Sequence, residues 1–387
     1  MTCPRSDAGL RAAVPLLPAY GEAALSDLPE SVLAALGVGE HNPLGLDPAR
    51  RICVLLIDGL GEEQLRAHAD VAPFLAGLGG RILTAGFPPT TVTSLATLGT
   101  GMTPGEHGML GVMVAVPGEG RLLNCLRWRT HGPAVDPEDW QPATTVYQRA
   151  WAAGVRASYV APAAFDGTGL TRAVYRGVRY IGSETVDDRV AAVRRELADD
   201  GGGEAVFVTV YYGDVDTQGH RTGMGSPEWR AELAVADRLA ERLAAALPPG
   251  SALYVIADHG MVNVTDRVDV DALPALLEGV ALLGGDFRCR YIYTEPGATR
   301  DVLAAWREVL AGRAWVVERA DAVAAGWFGP RVRPEWLGRI GDVIAVPYGE
   351  CAVVAARRDP RGAAMVGMHG SLTSAELRVP LLEVSTR

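Results

Sequence analysis

Continuous apolar runs alternate with amphipathic runs along most of the chain. The three strongest apolar runs are RICVLLIDG, EAVFVTVYYGD and SALYVIADHG, at residues 51–59, 204–214 and 251–260. Runs of this length, rich in Val, Ile and Leu, are typical of parallel strands buried on both faces. RILTAGF at 81–87 and VRASYVAP at 155–162 are weaker strand candidates.

Helical patterns lie between the apolar runs. Residues 62–78 and 187–200 favour helices, and residues 226–248 give the clearest pattern, with Ser-Pro at the start and apolar residues at helical spacing. Alternation of strands and helices predicts an α/β fold, in which a mostly parallel central sheet carries helices on both faces.

The pattern changes in the last third of the chain. Residues 291–329 predict strand–helix–strand–helix, and we expect a small α+β lobe at 263–362, inserted into the main sheet as a cap. The core would then comprise residues 46–262 and 363–387. A lead-in of short helices and loops is expected at 1–45.

Composition restricts the class of protein. The chain has 387 residues, 48% of them hydrophobic, which allows a large buried core. Its net charge is −10 and it contains no Lys, so a basic surface for duplex nucleic acid is not expected.

Neither a signal peptide nor an apolar stretch of about 18 residues is present, which favours a cytoplasmic protein without a membrane partner. Five dispersed cysteines without CxxC spacing favour reduced, buried thiols; they are Cys3, Cys53, Cys125, Cys289 and Cys351.

Carboxylate and imidazole side chains accompany the predicted strand ends. Asp58, Asp216 and Asp258 come at or just after the carboxyl ends of the three strongest runs. Because ligands bind outside the carboxyl ends of parallel strands, we expect these side chains to converge. With nearby histidines they would suffice for a pair of divalent ions. The candidate ligands are Asp58, Asp216, His220, Asp258, His259 and His369.

Imidazole nitrogen and carboxylate oxygen together favour Zn²⁺, and Mn²⁺ or iron also accept this ligand set. Two such ions would activate an attacking oxygen, stabilise a leaving oxygen and neutralise the remaining oxygens in phosphoryl transfer. Of the other histidines, His41, His68 and His131 are expected to be solvated or locally hydrogen-bonded. His107 is expected to shape a loop.

A cluster of hydroxyl residues supplies candidate nucleophiles. In GFPPTTVTSLATLGTG, two prolines precede the hydroxyls and a helix-like run follows them. The hydroxyls would therefore lie at a helix N-terminus, where free N–H groups favour a bound phosphate. A metal would lower the pKa of a coordinated hydroxyl, so no separate base is required. The residues alone do not choose between Thr90, Thr91 and Thr93, each of which could also cap the helix.

The chain carries six motifs whose order along the sequence resembles that of the alkaline phosphatase superfamily and, within it, the type I phosphodiesterase/nucleotide pyrophosphatase family. The resemblance spans roughly residues 50 to 380. The motifs are an Asp after a buried strand at Asp58, F-P-x-x-T at Phe87 to Thr91, T-G-x-x-P-x-x-H-G at Thr100 to Gly108, D-x-x-x-H at Asp216 to His220, D-H-G at Asp258 to Gly260, and G-x-H-G at Gly367 to Gly370.

This resemblance implies a role for each candidate residue. Thr91 would be the nucleophile, attacking phosphorus in line to form a phospho- or nucleotidyl-threonine that water then releases, with overall retention at phosphorus. The implied ligands of one zinc ion are Asp58, Thr91, Asp258 and His259, and those of the other are Asp216, His220 and His369.

The chain departs from the family pattern near the phosphate. Nucleotide-cleaving members carry an aromatic residue and a Pro-Asn pair after the nucleophile, where this chain has Val92, Thr93 and Ser94. They also carry an Asn that binds a phosphate oxygen, where this chain has Val112. Val92, Thr93 and Ser94 are the candidate substrate-binding residues. Either Thr93, Ser94 or an Arg from elsewhere replaces the Asn, or the phosphate group of the substrate is held differently.

The predicted function is a metal-dependent hydrolase that cleaves phosphodiester or pyrophosphate bonds of a small, nucleotide-like molecule. The alternative is a phosphomonoesterase or a phosphonoacetate hydrolase-like enzyme that uses the same two-metal site. A non-catalytic module that binds phosphorylated ligands is disfavoured, because the ligand set is complete. A sulfatase is disfavoured as well, because no C/S-x-P-x-R arrangement occurs.

Overall fold

The computed structural model describes residues 14–198 and 204–386. Several sequence predictions therefore fall partly outside the described residues. These are Cys3 and the rest of residues 1–13 of the lead-in, residues 199–200 of the helix predicted at 187–200, and residue 387 at the end of the core.

The described residues form strands of two to eight residues. They are β1 Arg51–Ile57, β2 Gly80–Thr84, β3 Met113–Val116, β4 Arg121–Asn124, β5 Arg129–Thr130, β6 Arg156–Ala161, β7 Arg179–Gly182, β8 Val206–Tyr212, β9 Ser251–Ile256, β10 Val262–Asn263, β11 Asp266–Asp269, β12 Val280–Asp286, β13 Cys289–Thr294, β14 Ala314–Glu318, β15 Val343–Pro347, β16 Cys351–Val354, β17 Gly367–Met368 and β18 Arg378–Ser385.

Helices flank these strands, and within the described residues none is both long and apolar enough to cross a membrane. The α-helices are α1 Asp27–Ala35, α2 Glu62–Ala67, α3 Pro73–Gly77, α4 Thr91–Thr100, α5 Pro104–His107, α6 Pro137–Trp140, α7 Val146–Ala152, α8 Gly169–Val174, α9 Val186–Leu197, α10 Asp214–Thr222, α11 Pro227–Ala245, α12 Thr299–Val309, α13 Arg319–Ala324, α14 Pro360–Ala363 and α15 Ser374–Leu377. Short 3-10 helices occur at Ala163–Phe165, Val270–Ala272, Pro274–Leu276 and Pro334–Arg339.

A seven-stranded sheet forms the centre of the fold, in the order β2-β18-β9-β1-β8-β6-β7. Strands β9, β1, β8, β6 and β7 are parallel, whereas β18 runs antiparallel to both β9 and β2. Every residue of β1, β8 and β9 is buried, as expected for strands covered on both faces. The prediction of a mostly parallel α/β sheet is confirmed.

The helix predictions are confirmed with one difference. The patterns at 187–200 and 226–248 correspond to α9 and α11. The pattern at 62–78 does not form one helix; α2 ends at Ala67 and α3 begins at Pro73. Proline lacks the amide donor that a helix interior needs, so it occupies the first turn of a new helix.

The chain segment between β10 and β17 forms a second, antiparallel sheet, with the strand order β12-β13-β15-β14. It has its own apolar core, in which the fully buried Trp306 of α12 donates a hydrogen bond to the carbonyl of Leu276. The predicted order of strand, helix, strand and helix corresponds to β13, α12, β14 and α13. The lobe boundaries at 263 and 362 remain predictions.

An ion pair without solvent exposure links this second sheet to the segment before β18. Arg288 and Glu376 are both fully buried, and their side chains meet at Nε–Oε1 and Nη2–Oε2 distances of 2.9 and 2.6 Å. Glu376 also accepts the amide of Ser371 at 3.0 Å. The pair therefore ties the β12–β13 turn to the loop that follows His369.

Arg288→Met should lower the free energy of unfolding by about 3–5 kcal/mol, because it leaves the Glu376 carboxylate buried without its partner. Urea denaturation of the two proteins measures the difference. Arg66→Met is the matched control, since Arg66 pairs with Glu62 in a largely exposed position. That control should cost less than about 1 kcal/mol. Similar losses in the two variants would contradict the role assigned to the buried pair.

Candidate active site

Three neighbouring strands of the central sheet carry the candidate aspartates to one edge. Asp58 directly follows β1, and Asp258 lies just beyond β9, the neighbour of β1. Asp216 belongs to α10, which begins directly after β8, the other neighbour of β1. Gly59 has a positive φ of 74°, and a Cβ there would lie 2.9 Å from Cβ of Asp216. A glycine is therefore required where the β1 turn approaches α10.

Asp216 and His220 lie one turn apart on α10, with His220 Nε2 at 3.4 Å from Asp216 Oδ2. The segment before His369 is hydrogen-bonded to this helix. The Val366 amide donates to the His220 carbonyl at 2.8 Å, and β17 pairs with β10. His369 Nε2 consequently lies 3.9 Å from Asp216 Oδ1.

The second group of side chains surrounds His259. Its Nε2 lies 3.4 Å from Asp58 Oδ1, 3.3 Å from Asp258 Oδ2 and 3.3 Å from the Thr91 hydroxyl. The rings of His259 and His369 stack with their centres 3.6 Å apart, so the two groups adjoin. Two sets of potential ligand atoms each lie within 4.8 Å of one another; they are Asp216, His220 and His369, and Asp58, Asp216 and His259.

All three imidazoles are oriented by backbone carbonyls. Nδ1 of His220, His259 and His369 lies 2.8 to 3.0 Å from the carbonyl oxygens of Gly367, Gly260 and Pro89, respectively. A carbonyl only accepts, so each Nδ1 carries the proton. Each Nε2 then presents a lone pair towards carboxylate oxygens. Facing acceptors of this kind fit a cation between them, and this orientation is the usual one for metal-binding histidines.

The carboxylates of the site also present oxygen atoms that lack a partner. Asp58 Oδ1, Asp216 Oδ1 and Asp258 Oδ2 are enclosed and accept no hydrogen bond from the described residues. Burial, followed by the charges of Asp258 and Asp216, holds the pKa of Asp58 well above its ordinary value. Burial and the two neighbouring imidazoles hold the pKa of His369 well below its ordinary value. A divalent cation would stabilise the ionised carboxylates and accept the lone pairs of the neutral imidazoles, so the donor set fits such a cation.

Tyr211 of β8 also belongs to the site, although no sequence pattern singles it out. Its hydroxyl donates to Asp58 Oδ2 at 2.5 Å, which orients the carboxylate and leaves Oδ1 free. Nothing in the run VFVTVYY distinguishes this tyrosine from its neighbour Tyr212, whose hydroxyl bonds to Glu232 instead. The contact depends on the pairing of β8 with β1.

Thr91 begins α4, and its hydroxyl faces the second group of ligands. The first helical bond of α4 is donated by the Ser94 amide to the Thr90 carbonyl at 3.0 Å. The amides of the three preceding residues thus remain free to bind an anion. Thr90 holds the N-cap position without a side-chain cap hydrogen bond, and it lines the adjoining cavity with Thr91.

The predicted substrate-binding residues Val92, Thr93 and Ser94 have no solvent exposure. The Ser94 hydroxyl donates to the Asp258 carbonyl at 2.7 Å, so it supports the D-H-G turn. None of the three lines the large cavity at the site. Substrate contact by these side chains therefore stays a prediction that their burial does not favour.

His107 has the structural role that the sequence suggests. It is fully buried, its Nδ1 accepts the Met109 amide at 3.0 Å, and its Nε2 lies 3.0 Å from the Thr97 hydroxyl. His68 bonds through Nδ1 to the Gln64 carbonyl, as expected for a locally satisfied histidine.

A cavity of about 1680 Å³ opens beside the metal-ligand residues. Thr91, Asp216, His220 and His369 form part of its wall, together with Val112. Such a volume exceeds the usual range of small-molecule pockets, roughly 300–1,000 Å³. The site can therefore accept a substrate with a large group attached to phosphorus.

Comparison with known proteins agrees with this architecture. The model of the family "Type I phosphodiesterase / nucleotide pyrophosphatase" matches residues 52–372. Murine ectonucleotide pyrophosphatase/phosphodiesterase 5 is similar with a TM-score of 0.66 and 18% identity, over 85% of this chain and 87% of that chain.

Phosphonoacetate hydrolase from Sinorhizobium meliloti 1021, in complex with phosphonoformate, is similar with a TM-score of 0.64 and 18% identity. The alignment covers 88% of this chain and 91% of that chain. At these identities the likeness shows a shared fold. A comparison with curated proteins finds no match.

The buried His107 should make folding sensitive to acid. Burial lowers its pKa to about 3, whereas an unfolded chain protonates histidine near pH 6.5. The unfolded state binds the extra proton, so stability falls as pH decreases below that value. Between pH 7.5 and 5.5, the wild type should lose about 1.4 kcal/mol more unfolding free energy than His107→Gln. Denaturation at the two pH values measures this; equal losses would contradict it.

Proposed function

The chain belongs to the type I phosphodiesterase/nucleotide pyrophosphatase family, and we propose that it is a metal-dependent hydrolase of phosphodiester or pyrophosphate bonds in a small, nucleotide-like molecule. The observation that carries the proposal is the convergence of three carboxylates, two of them buried, and three oriented imidazoles beside one hydroxyl. In the assignment that we propose, Asp58, Thr91, Asp258 and His259 hold one ion. The second ion is assigned to Asp216, His220 and His369.

Thr91 is the proposed nucleophile. Bound divalent ions, for which Zn²⁺ suits the donor set, would supply charge neutralisation at phosphorus and lower the pKa of the hydroxyl. The Thr91 oxygen would attack phosphorus in line with the ester oxygen, forming an Oγ1–P bond as the P–O ester bond breaks. Water would then hydrolyse the phosphothreonine ester. Free amides in the first turn of α4 would hold the non-bridging oxygens.

The cavity favours a diester or pyrophosphate over a small monoester. A volume of about 1680 Å³ leaves ample room for a second group on phosphorus. The second candidate is a phosphomonoesterase or a phosphonoacetate hydrolase-like enzyme. It is supported by the similarity to the Sinorhizobium meliloti structure and by Val112, which stands where nucleotide-cleaving relatives have Asn. Comparing turnover of bis(p-nitrophenyl) phosphate and p-nitrophenyl phosphate separates the two candidates.

Thr91→Ala should reduce turnover of bis(p-nitrophenyl) phosphate at least ~1,000-fold, because it removes the attacking oxygen. Metal content, measured by inductively coupled plasma mass spectrometry, should stay near that of the wild type. Thr90→Ala is the matched control, and its activity should remain within about tenfold of wild type. Near-wild-type activity in Thr91→Ala would show that another group attacks phosphorus.

His369→Ala should lower metal content from about two ions per chain to about one, because it removes one of three ligands of the second ion. Circular dichroism should show an unchanged fold. His131→Ala, which changes an exposed histidine at the cavity, should retain both ions. The ligand assignment is wrong if His369→Ala still holds about two ions after dialysis against a weak chelator.

A further inference from the structure

The cavity beside the site is basic, although the chain as a whole is acidic. Its wall contains seven arginines and three aspartates, one of which is the candidate ligand Asp216. The whole chain has a net charge of −10. Positive charge is thus concentrated where a substrate would lie, and a cavity of one sign attracts ligands of the opposite sign.

Arg290, on β13, differs from the other cavity arginines in being buried and fixed. Its exposed fraction is 7%. Nε donates to the Val353 carbonyl at 2.8 Å, and the guanidinium carbon lies 4.8 Å from the centre of the Phe287 ring. Within residues 14–198 and 204–386, neither Nη atom makes a hydrogen bond, and Nη2 is enclosed. The side chain is held by one edge and leaves its remaining donors unused.

Asp286 ends β12 next to Gly285, which pairs with Arg290 on β13, and both Asp286 and Arg290 line the cavity. The Oδ2 atom of Asp286 has no hydrogen-bond partner in the described chain. Within the described residues, no hydrogen bond or ion pair joins Arg290 to a candidate metal ligand. Its guanidinium is therefore an anion-binding group separate from the metal-ligand residues.

Arg290 remains charged at neutral pH, since burial lowers its pKa only to about 10. No carboxylate of the described residues forms an ion pair with it. A buried guanidinium with unused donors is unfavourable unless an anion completes its hydrogen bonds. Planar, charged donors of this kind bind carboxylate and phosphoryl oxygens well.

We propose that Arg290 is a specificity-determining residue, forming a second anion subsite that binds an acidic group of the substrate away from the reacting phosphorus. The substrate class is then a phosphorus compound that carries a further carboxylate or phosphoryl group. The subsite rests on the proposed function, because that function places the reacting phosphoryl group at the metal-ligand residues.

Binding of inert phosphonates tests the subsite without any need for turnover. Isothermal titration calorimetry on the metal-loaded protein compares methylphosphonate with phosphonoacetate, 3-phosphonopropionate and 4-phosphonobutyrate. Propane-1,3-bisphosphonate tests a second phosphoryl group, with metal chelation measured in a titration without protein. At least one of the four probes with a second acidic group should bind about ten- to a hundredfold more tightly than methylphosphonate, as expected for a charge-assisted hydrogen bond.

Arg290→Met should abolish that advantage and leave methylphosphonate binding within about twofold of wild type. Arg290→Lys, which keeps the charge, should retain part of this affinity advantage. It is the control for a loss of binding caused by misfolding. Arg129→Met is the control, because Arg129 is an exposed arginine of the same cavity. It should retain nearly all of the advantage.

Any of three results would overturn the subsite. No probe with a second acidic group binds more tightly than methylphosphonate, Arg290→Met keeps the affinity advantage of these probes, or Arg129→Met loses as much of that advantage as Arg290→Met does. The relative affinities of carboxylate and bisphosphonate probes identify which acid the subsite prefers. If the wild type binds these probes as expected but hydrolyses no phosphoric ester, the proposed function fails and the anion subsite stands.

Discussion

Mutual repulsion among three clustered carboxylates, two of them buried, is the constraint on which the rest of the structure depends. Asp58, Asp216 and Asp258 lie together because β9, β1 and β8 are adjacent and parallel, and their carboxyl ends share one edge. Such a group is stable only if cations or protons offset the charge. The histidine tautomers, the enclosed carboxylate oxygens and the hydrogen bond from Tyr211 all fit cations at this edge.

The remainder of the fold keeps these side chains in place. Helix α4 supplies both a hydroxyl and free amides, and the Ser94 hydroxyl fixes the turn that carries Asp258. His369 comes from a different part of the chain and is secured by backbone bonds to α10 and β10. The Arg288–Glu376 pair then anchors the following loop to the second sheet. Positions at the site are thus set by backbone pairing as much as by side-chain contacts.

The sequence predicts the parts of the site that local pattern controls. Buried strands are visible as apolar runs, and an aspartate after such a run has a predictable position at the sheet edge. The D-x-x-x-H spacing places Asp216 and His220 on one face once α10 is known to be helical. Tyr211, Asp286 and Arg290 could not be found in this way, because their contacts join segments that are distant in sequence.

One helix prediction differs from the structure, and one prediction of substrate contact is not favoured by it, each for a physical reason. The helical pattern at 62–78 is divided, since Pro73 starts a new helix. Thr93 and Ser94 closely follow the candidate nucleophile Thr91 in the sequence, yet both are fully buried in helix α4. Three successive helical residues point in different directions, so adjacency to Thr91 does not imply exposure to the same cavity.

The segment between β10 and β17 leaves the main body and returns to it through two strands that are hydrogen-bonded to each other. Its points of departure and return are therefore fixed side by side, whatever lies between them. The outer loops of such a segment can be lengthened or shortened without displacing His259 or His369, provided that the Arg288–Glu376 pair is kept. The wall that this segment contributes to the cavity can thus vary while the metal-ligand side chains of the central sheet keep their positions.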